Sequence, residues 1–305
     1  MDLKQLEYFV HVAELGSFTR AAAVLSVAQP ALSRQVRLLE VELRQNLLYR
    51  TGRGVSLTDA GRKLLARGRG ILQQVNHAKN DLEDLRGAPV GHVVIGLPSP
   101  VGRRITPAVV TAFRGRFPKA TIGVVEGLTT HILDWISIGR VDAGLVFDSV
   151  PASPVVETEP LVEEQLHLVS AATKKARAAP VAMTELGSYP VLIPSRPNAL
   201  RMLVETRLAA IGVKLDVVCE IDSIASILEL VAEGAAHAVL PLNALPRGPD
   251  AARYLARPIV RPKLTCILSL AKPSQRPLTP LARQVLELLR ELVPGELYPG
   301  RRPRS

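Results

Sequence analysis

A chain of 305 residues with 47% apolar content is long enough for roughly two domains, and its formal charge of +10 with a pI near 10.0 fits a polyanion partner such as nucleic acid. No apolar run approaches the roughly 20 residues of a membrane span, and Met1-Asp2-Leu3-Lys4 leads into an amphipathic helix instead of a signal peptide, so the expectation is a cytoplasmic protein with no membrane partner. Cys219 and Cys266 sit in apolar stretches that read as inert, buried strands, and the 6 histidines fall at no metal-ligand spacing, which excludes a disulfide framework and leaves no metal or cofactor to expect.

In chain order, Leu3, Leu6, Phe9, Val10 and Ala13 form an apolar stripe that Gly16 ends, with Ser17 and Thr19 as candidate caps for a second helix, Thr19 to Leu25. Ser26 to Gln29 is the length of turn that joins the two helices of a helix-turn-helix. Pro30 suits the first turn of a third helix, where Leu32, Val36, Leu39 and Leu43 recur on one face. The other face carries Gln29, Pro30, Ser33, Arg34 and Arg37, and these polar and guanidinium groups are of the kind that reach base edges and phosphates in a major groove. Arg50 to Leu57 then reads as a tight two-strand wing with Arg50 and Arg53 available to backbone phosphate or minor groove, and Thr58 with Asp59 opens the next helix.

From Thr58 to Arg86 one long helix repeats Leu64, Ile71, Ala78 and Leu85 every seven residues, interleaved with Gly68, Val75 and Leu82. This seam favours pairing with a second helix, the alternative being a surface helix packed on its own domain, before Gly87-Ala88-Pro89 breaks the helix. Beyond it, apolar runs at 92–97, 121–126, 143–147, 166–170, 191–193, 215–221, 238–240 and 264–270 read as strands. Helical patterns at 109–117, 130–138, 200–211, 224–233 and 281–292 lie between or after them, which predicts two Rossmann-like α/β lobes with largely parallel sheets. In such sheets a ligand sits at strand ends beside helix N-termini, where free N–H groups favour anions. Four strand ends, carrying Ser99, Thr129, Ser195-Arg196 and Ser223-Ile224, are therefore places where a small, anionic ligand would be held, with the Arg196 fork able to pair with a carboxylate. The alternative is that Ser99, Thr129 and Ser223 simply cap helices and that Arg196 is a solvated surface arginine.

The N-terminal stretch through Gly61 resembles the LysR-type transcriptional regulators. Phe9, Gly16-Ser17-Phe18, Ala21-Ala22, Leu25, Gln29 to Ser33, Leu39-Glu40, Leu43, Arg50, Arg53-Gly54-Val55 and Leu57 to Gly61 match that family's pattern in order and spacing. Arg44 stands where the family usually has Gly and Leu48 where Phe is common, departures similar to those of the subgroup around the nitrogen assimilation control protein. The resemblance implies a winged helix-turn-helix domain over 1–58, a linker helix and hinge for dimerisation over 59–90, and a periplasmic-binding-protein-like effector domain of two lobes over 91–305, with the chain crossing back into the first lobe at its end. It implies a regulator of transcription that works as a homodimer or homotetramer, binds double-stranded DNA, and takes a small-molecule effector between the lobes at the places that match Ser99, Thr129, Ser195 and Ile224. The competing reading is a small-molecule carrier or cleft enzyme with an accessory basic arm. No Gly-x-Ser-x-Gly elbow, phosphate loop or metal motif is present for such an enzyme, so no catalytic residue is assigned.

Overall fold

The computed structural model describes residues 1–51, 54–84, 91–147, 154–173 and 178–297. They divide into two compact units.

In the N-terminal unit, α1 (Leu3–Leu15) opens with a reciprocal cap in which the Asp2 carboxylate accepts the Gln5 N–H at 2.7 Å and the Gln5 side chain accepts the Asp2 N–H at 3.1 Å. Ser17 caps α2 (Phe18–Val24), and α3 (Gln29–Leu43) carries Pro30 in its first turn. Leu6, Phe9, Val12, Ala21, Leu32, Val36 and Leu39 are fully buried where the three helices meet. Arg44 ends α3 at φ 52, in the left-handed region where a side chain normally costs about 1–2 kcal/mol, so it takes the backbone conformation that glycine would supply.

The wing is an antiparallel pair, β1 (Leu48–Thr51) and β2 (Gly54–Leu57). Its root is tied to the turn after α1 by Val55 N–H donating to Gly16 O at 3.0 Å. Gly54 lies against that turn so closely that a Cβ would fall 2.8 Å from the same carbonyl oxygen, and its φ of 140° is open to glycine. The Thr58 hydroxyl donates to Asn46 O and accepts the Gly61 N–H, opening α4 (Asp59–Asp84). The heptad seam on α4 divides. Leu64 packs on the unit's own core, and Gly68 lets α1 approach until a Cβ there would be 2.9 Å from Leu6 Cδ1. Ile71 and Ala78 are exposed, Val75 is half-buried, Leu82 lies further along the helix, and Leu85 with the Gly87-Ala88-Pro89 break lies outside the described residues.

The C-terminal unit begins with β3 (Gly91–Leu97), α5 (Ser99–Arg116), β4 (Ala120–Glu126), α6 (Thr129–Ser137) and β5 (Ala143–Phe147). A 16-residue strand, β6 (Val156–Ala171), leads into β7 (Val181–Ala182), β8 (Pro190–Ile193), α7 (Ala199–Ala209), β9 (Asp216–Glu220), α8 (Ile224–Ala232), β10 (Ala238–Pro241) and β11 (Tyr254–Val260). The chain closes with β12 (Thr265–Pro273) and α9 (Pro280–Leu297). β6 serves both lobes: Val156–Gln165 pairs with β12 in the first, and the remainder lies between β10 and β11 in the second. β12 rejoins β5, and α9 packs on α5, so the final segment returns to the first lobe.

The pairing corrects the expectation of largely parallel sheets. β3 pairs parallel with β4 and β5, β8 with β9, and β11 with β7, whereas β12 and β6 bind each of their neighbours antiparallel. The first half of β6 escaped a hydropathy reading because it is Val-Glu-Thr-Glu-Pro with mostly exposed side chains, and β11 because Arg257-Pro258 interrupts it. α5 starts at Ser99, ten residues before the expected helix at Val109, because Pro100 is accommodated in the first turn and Pro107 inside the helix. Cys266 is buried, and that burial pushes its thiol well above the ordinary range. Cys219 is exposed, against expectation: every residue of β9 is exposed, because β9 is an edge strand paired only with β8 among the described residues. No helix among the described residues is long and apolar enough to cross a membrane.

Two histidines of the second lobe make its stability pH-dependent. Burial pulls the His167 imidazole below its ordinary pKa, and burial together with Arg257 does the same to His237, whose Nδ1 lies 2.7 Å from the Ser170 hydroxyl and whose ring meets Tyr189 edge-on. Both folded-state values lie below the unfolded value near 6.5, so as pH falls through 6.5 the unfolded chain takes up protons that the folded lobe refuses. Stability should be complete above that pH and decline below it. Urea unfolding of the wild type and of His237→Gln at pH 7.5 and pH 5.5 checks this; equal acid sensitivity of the two proteins would remove His237 from the effect.

Candidate nucleic-acid interface and effector cleft

The outward face of α3 is polar for the reason its inward face is not: Leu32, Val36 and Leu39 point at α1 and α2, which leaves Gln29, Pro30, Arg34 and Arg37 exposed and Ser33 half-buried. The wing delivers Arg50 to the same face, its guanidinium donating to the Ser33 hydroxyl at 3.2 Å and lying 4.8 Å from the centre of the Phe18 ring. Arg53 lies outside the described residues. Behind this surface the Glu40 carboxylate, 5% exposed, accepts the N–H groups of Leu47 and Leu48 at 2.9 and 3.2 Å, and Arg37 approaches it at 3.6 Å. One buried acid therefore joins the exposed helix to the root of the wing. Phe18 and Glu40 were visible in the sequence as core-type and helix residues; their positioning roles come from tertiary contacts that spacing does not reveal.

In the C-terminal unit a cleft with two compartments opens between the lobes. The inner one, of about 70 Å³, is walled mainly by apolar groups including Leu128, Phe147, Ile193, Leu200, Val204 and Leu240. The outer one, of about 810 Å³, is polar and walled partly by Arg103, Arg104, Glu126, Asp222, Arg247 and Asp250. Ser99 and Ile224, two of the candidate contacts, form walls of both. The Ser99 hydroxyl does not cap α5, because Pro98 holds the cap position, and it makes no hydrogen bond among the described residues.

Thr129 also walls the inner compartment, but it is 3% exposed and its hydroxyl accepts the Phe147 N–H at 3.1 Å, a bond that fixes α6 to β5. Ser195 and Arg196 stand outside the walls of both compartments. The Ser195 N–H donates to Asp222 at 2.8 Å, and Arg196 turns away to Glu205 at 2.8 Å. The buried cation of the site is Arg201, which the sequence reading missed. Its guanidinium donates to Pro194 O at 2.9 Å and pairs with Glu205 at 2.9 Å and Glu220 at 2.8 Å. Burial opposes its charge, and the two carboxylates outweigh that burial and hold its pKa above the ordinary value. The available signal was Asn198, a strong helix cap three residues before it. Among the described residues no group of three or more His, Cys, Asp and Glu side chains is placed to hold a metal.

Residues 3–62 match the bacterial regulatory helix-turn-helix protein family, lysR type, and residues 86–294 match the LysR substrate binding domain. The chain is 33% identical over 294 residues to the nitrogen assimilation regulatory protein nac of Escherichia coli (strain K12), covering 96% of this chain and 95% of that protein. It is 31% identical over 300 residues to a probable nitrogen assimilation transcriptional activator of Synechococcus elongatus, covering 97% of each. In fold it is similar to full-length CbnR complexed with its target DNA, with a TM-score of 0.71 at 24% identity over 95% of this chain and 99% of that one. A full-length OxyR from Pseudomonas aeruginosa gives a TM-score of 0.72 at 22% identity, covering 100% and 99%. With its helix-turn-helix, its two-lobed domain and relatives of this kind along nearly its whole length, the chain belongs to the LysR family of DNA-binding transcriptional regulators with an effector-binding domain, on the branch similar to the nitrogen assimilation regulators.

Proposed function

We propose that this regulator reads its operator with α3 in the major groove, Ser33, Arg34 and Arg37 meeting bases and nearby backbone from a helix that Gln29 and Pro30 begin, while Arg50 and Arg53 of the wing grip phosphate or minor groove. It acts in the cytoplasm as a homodimer or homotetramer whose linker helices pair through Ile71, Val75, Ala78, Leu82 and Leu85, with Leu64 at the edge of the seam, so that two readers meet two half-sites. A small metabolite bearing an anionic group enters between the lobes, beside Ser99, Thr129 and Ile224, and shifts the geometry of the assembly; Ser195 and Arg196 act from just outside the cleft walls.

The observation that carries the DNA reading is the convergence of Arg50 on Ser33, which joins wing and helix into one polar surface backed by apolar core. Truncating Arg34 or Arg37 to Ala should cost about 1–3 kcal/mol and relax preference at one position, whereas Arg53→Ala should weaken all sequences alike and lower the salt slope by about one. Titrations at fixed salt on genomic fragments selected by the wild type decide it. Unchanged affinity and specificity in both Arg34→Ala and Arg37→Ala would show that α3 is not the reader.

A further inference from the structure

The effector's chemical class can be narrowed from the walls of the cleft, an inference that rests on the effector site proposed above. The inner compartment offers no uncommitted cation: Arg201 is already matched by Glu205 and Glu220, the Thr129 hydroxyl is committed to Phe147 N–H, and the remaining charged wall group is Asp222, which it shares with the outer compartment. An anionic group placed there would be desolvated without a partner, and beyond the Asp222 edge the walls are mainly apolar, so the part that enters is apolar. At about 70 Å³ against about 810 Å³ the inner compartment is much the smaller, which suits a short aliphatic group.

The outer compartment has the opposite character. Among the described residues it presents Arg103, Arg104 and Arg247 together with Glu126, Asp222 and Asp250, so the two signs are balanced. A purely anionic head would meet three carboxylates and a purely cationic one three guanidiniums. A head carrying both signs satisfies both sets. Because Ser99 and Ile224 wall both compartments, one small molecule can span them. We propose that the effector is a zwitterion with a short aliphatic tail, of the class of α-amino acids with branched side chains, the tail in the inner compartment, the carboxylate toward Arg103 and Arg104, and the ammonium toward Asp222 and Glu126.

The test uses the full chain and four probes: L-leucine, 4-methylpentanoate, 3-methylbutylamine and glycine. Binding is followed by calorimetry and by the emission of Trp135, the chain's single tryptophan, whose ring lies against Gly127 in the inner wall. L-Leucine should bind at least tenfold more tightly than the acid, the amine or glycine. Asp222→Asn, which keeps an acceptor for Ser195 N–H while removing the charge, should weaken L-leucine at least tenfold and leave 4-methylpentanoate no weaker. Equal binding of 4-methylpentanoate and L-leucine, or an unaltered L-leucine affinity in Asp222→Asn, overturns the zwitterion while leaving an effector cleft in place. Binding of other metabolites from a broad panel but not of L-leucine does the same. A cleft that binds no small molecule at all overturns both readings.

Discussion

A protein carrying Ile71→Asp and Val75→Asp together is expected to sediment as a smaller species than the wild type and to lose between about a hundredfold and ten-thousandfold in operator affinity, the usual range for losing a second linked contact. Ile71 is 39% exposed on α4 although it is a large aliphatic side chain, and Val75 one turn further is half-buried. In a lone chain a carboxylate at position 71 would stand in water and one at the half-buried position 75 could still reach it, whereas in a paired seam both would be desolvated without partners. The fold of the single chain should therefore survive, and its thermal unfolding by circular dichroism should show a largely unchanged N-terminal unit. Unchanged sedimentation together with unchanged DNA affinity would place the dimer contact elsewhere.

The second large effect is expected at Glu40. Truncation to Ala strands the Leu47 and Leu48 N–H groups in a region where both side chains are buried and water does not reach, at about 1–3 kcal/mol for each donor, so roughly 2–6 kcal/mol in all. That is comparable to the whole stability of a small domain. Glu40→Gln keeps a carbonyl acceptor and should cost about half as much. Denaturant unfolding of the three proteins, with DNA binding measured where each is still folded, checks the ranking; a cost below about 1 kcal/mol for Glu40→Ala would mean that the carboxylate does not hold the wing.

The sequence made the N-terminal unit legible because its determinants are local. Caps at Ser17 and Thr58 and the stripe through Leu32, Val36 and Leu39 each act within a few residues. The C-terminal unit was legible as lobes and less so as a sheet. β6 gains its partners from β12 and from β10 and β11, long after it in sequence, so its acidic first half carries no hydropathy signal of its own. The cleft shows the same division. Ser99 and Ile224 could be placed by the rule that ligands gather at strand ends, whereas Arg201 owes its position to carboxylates on α7 and β9 and to the Pro194 carbonyl. Cys219 was misjudged because an apolar run reads alike in a central strand and at an uncovered edge.

The attachment of the wing root to the turn after α1, and of Arg50 to Ser33 and Phe18, makes α3 and the described part of the wing a caliper of fixed span. A caliper measures distance as well as chemistry. If the helix reads and the wing grips as proposed above, each base pair inserted between their two stretches moves the second about 3.4 Å along the duplex and about 35° around it, since a full turn takes roughly 10 to 10.5 pairs. A reader whose prongs are pinned to each other cannot follow that displacement by loop motion, so either the DNA must twist or one contact must be given up. On that reading, operators for this protein would be constrained also between the two contacts, by the length and twist of the intervening duplex.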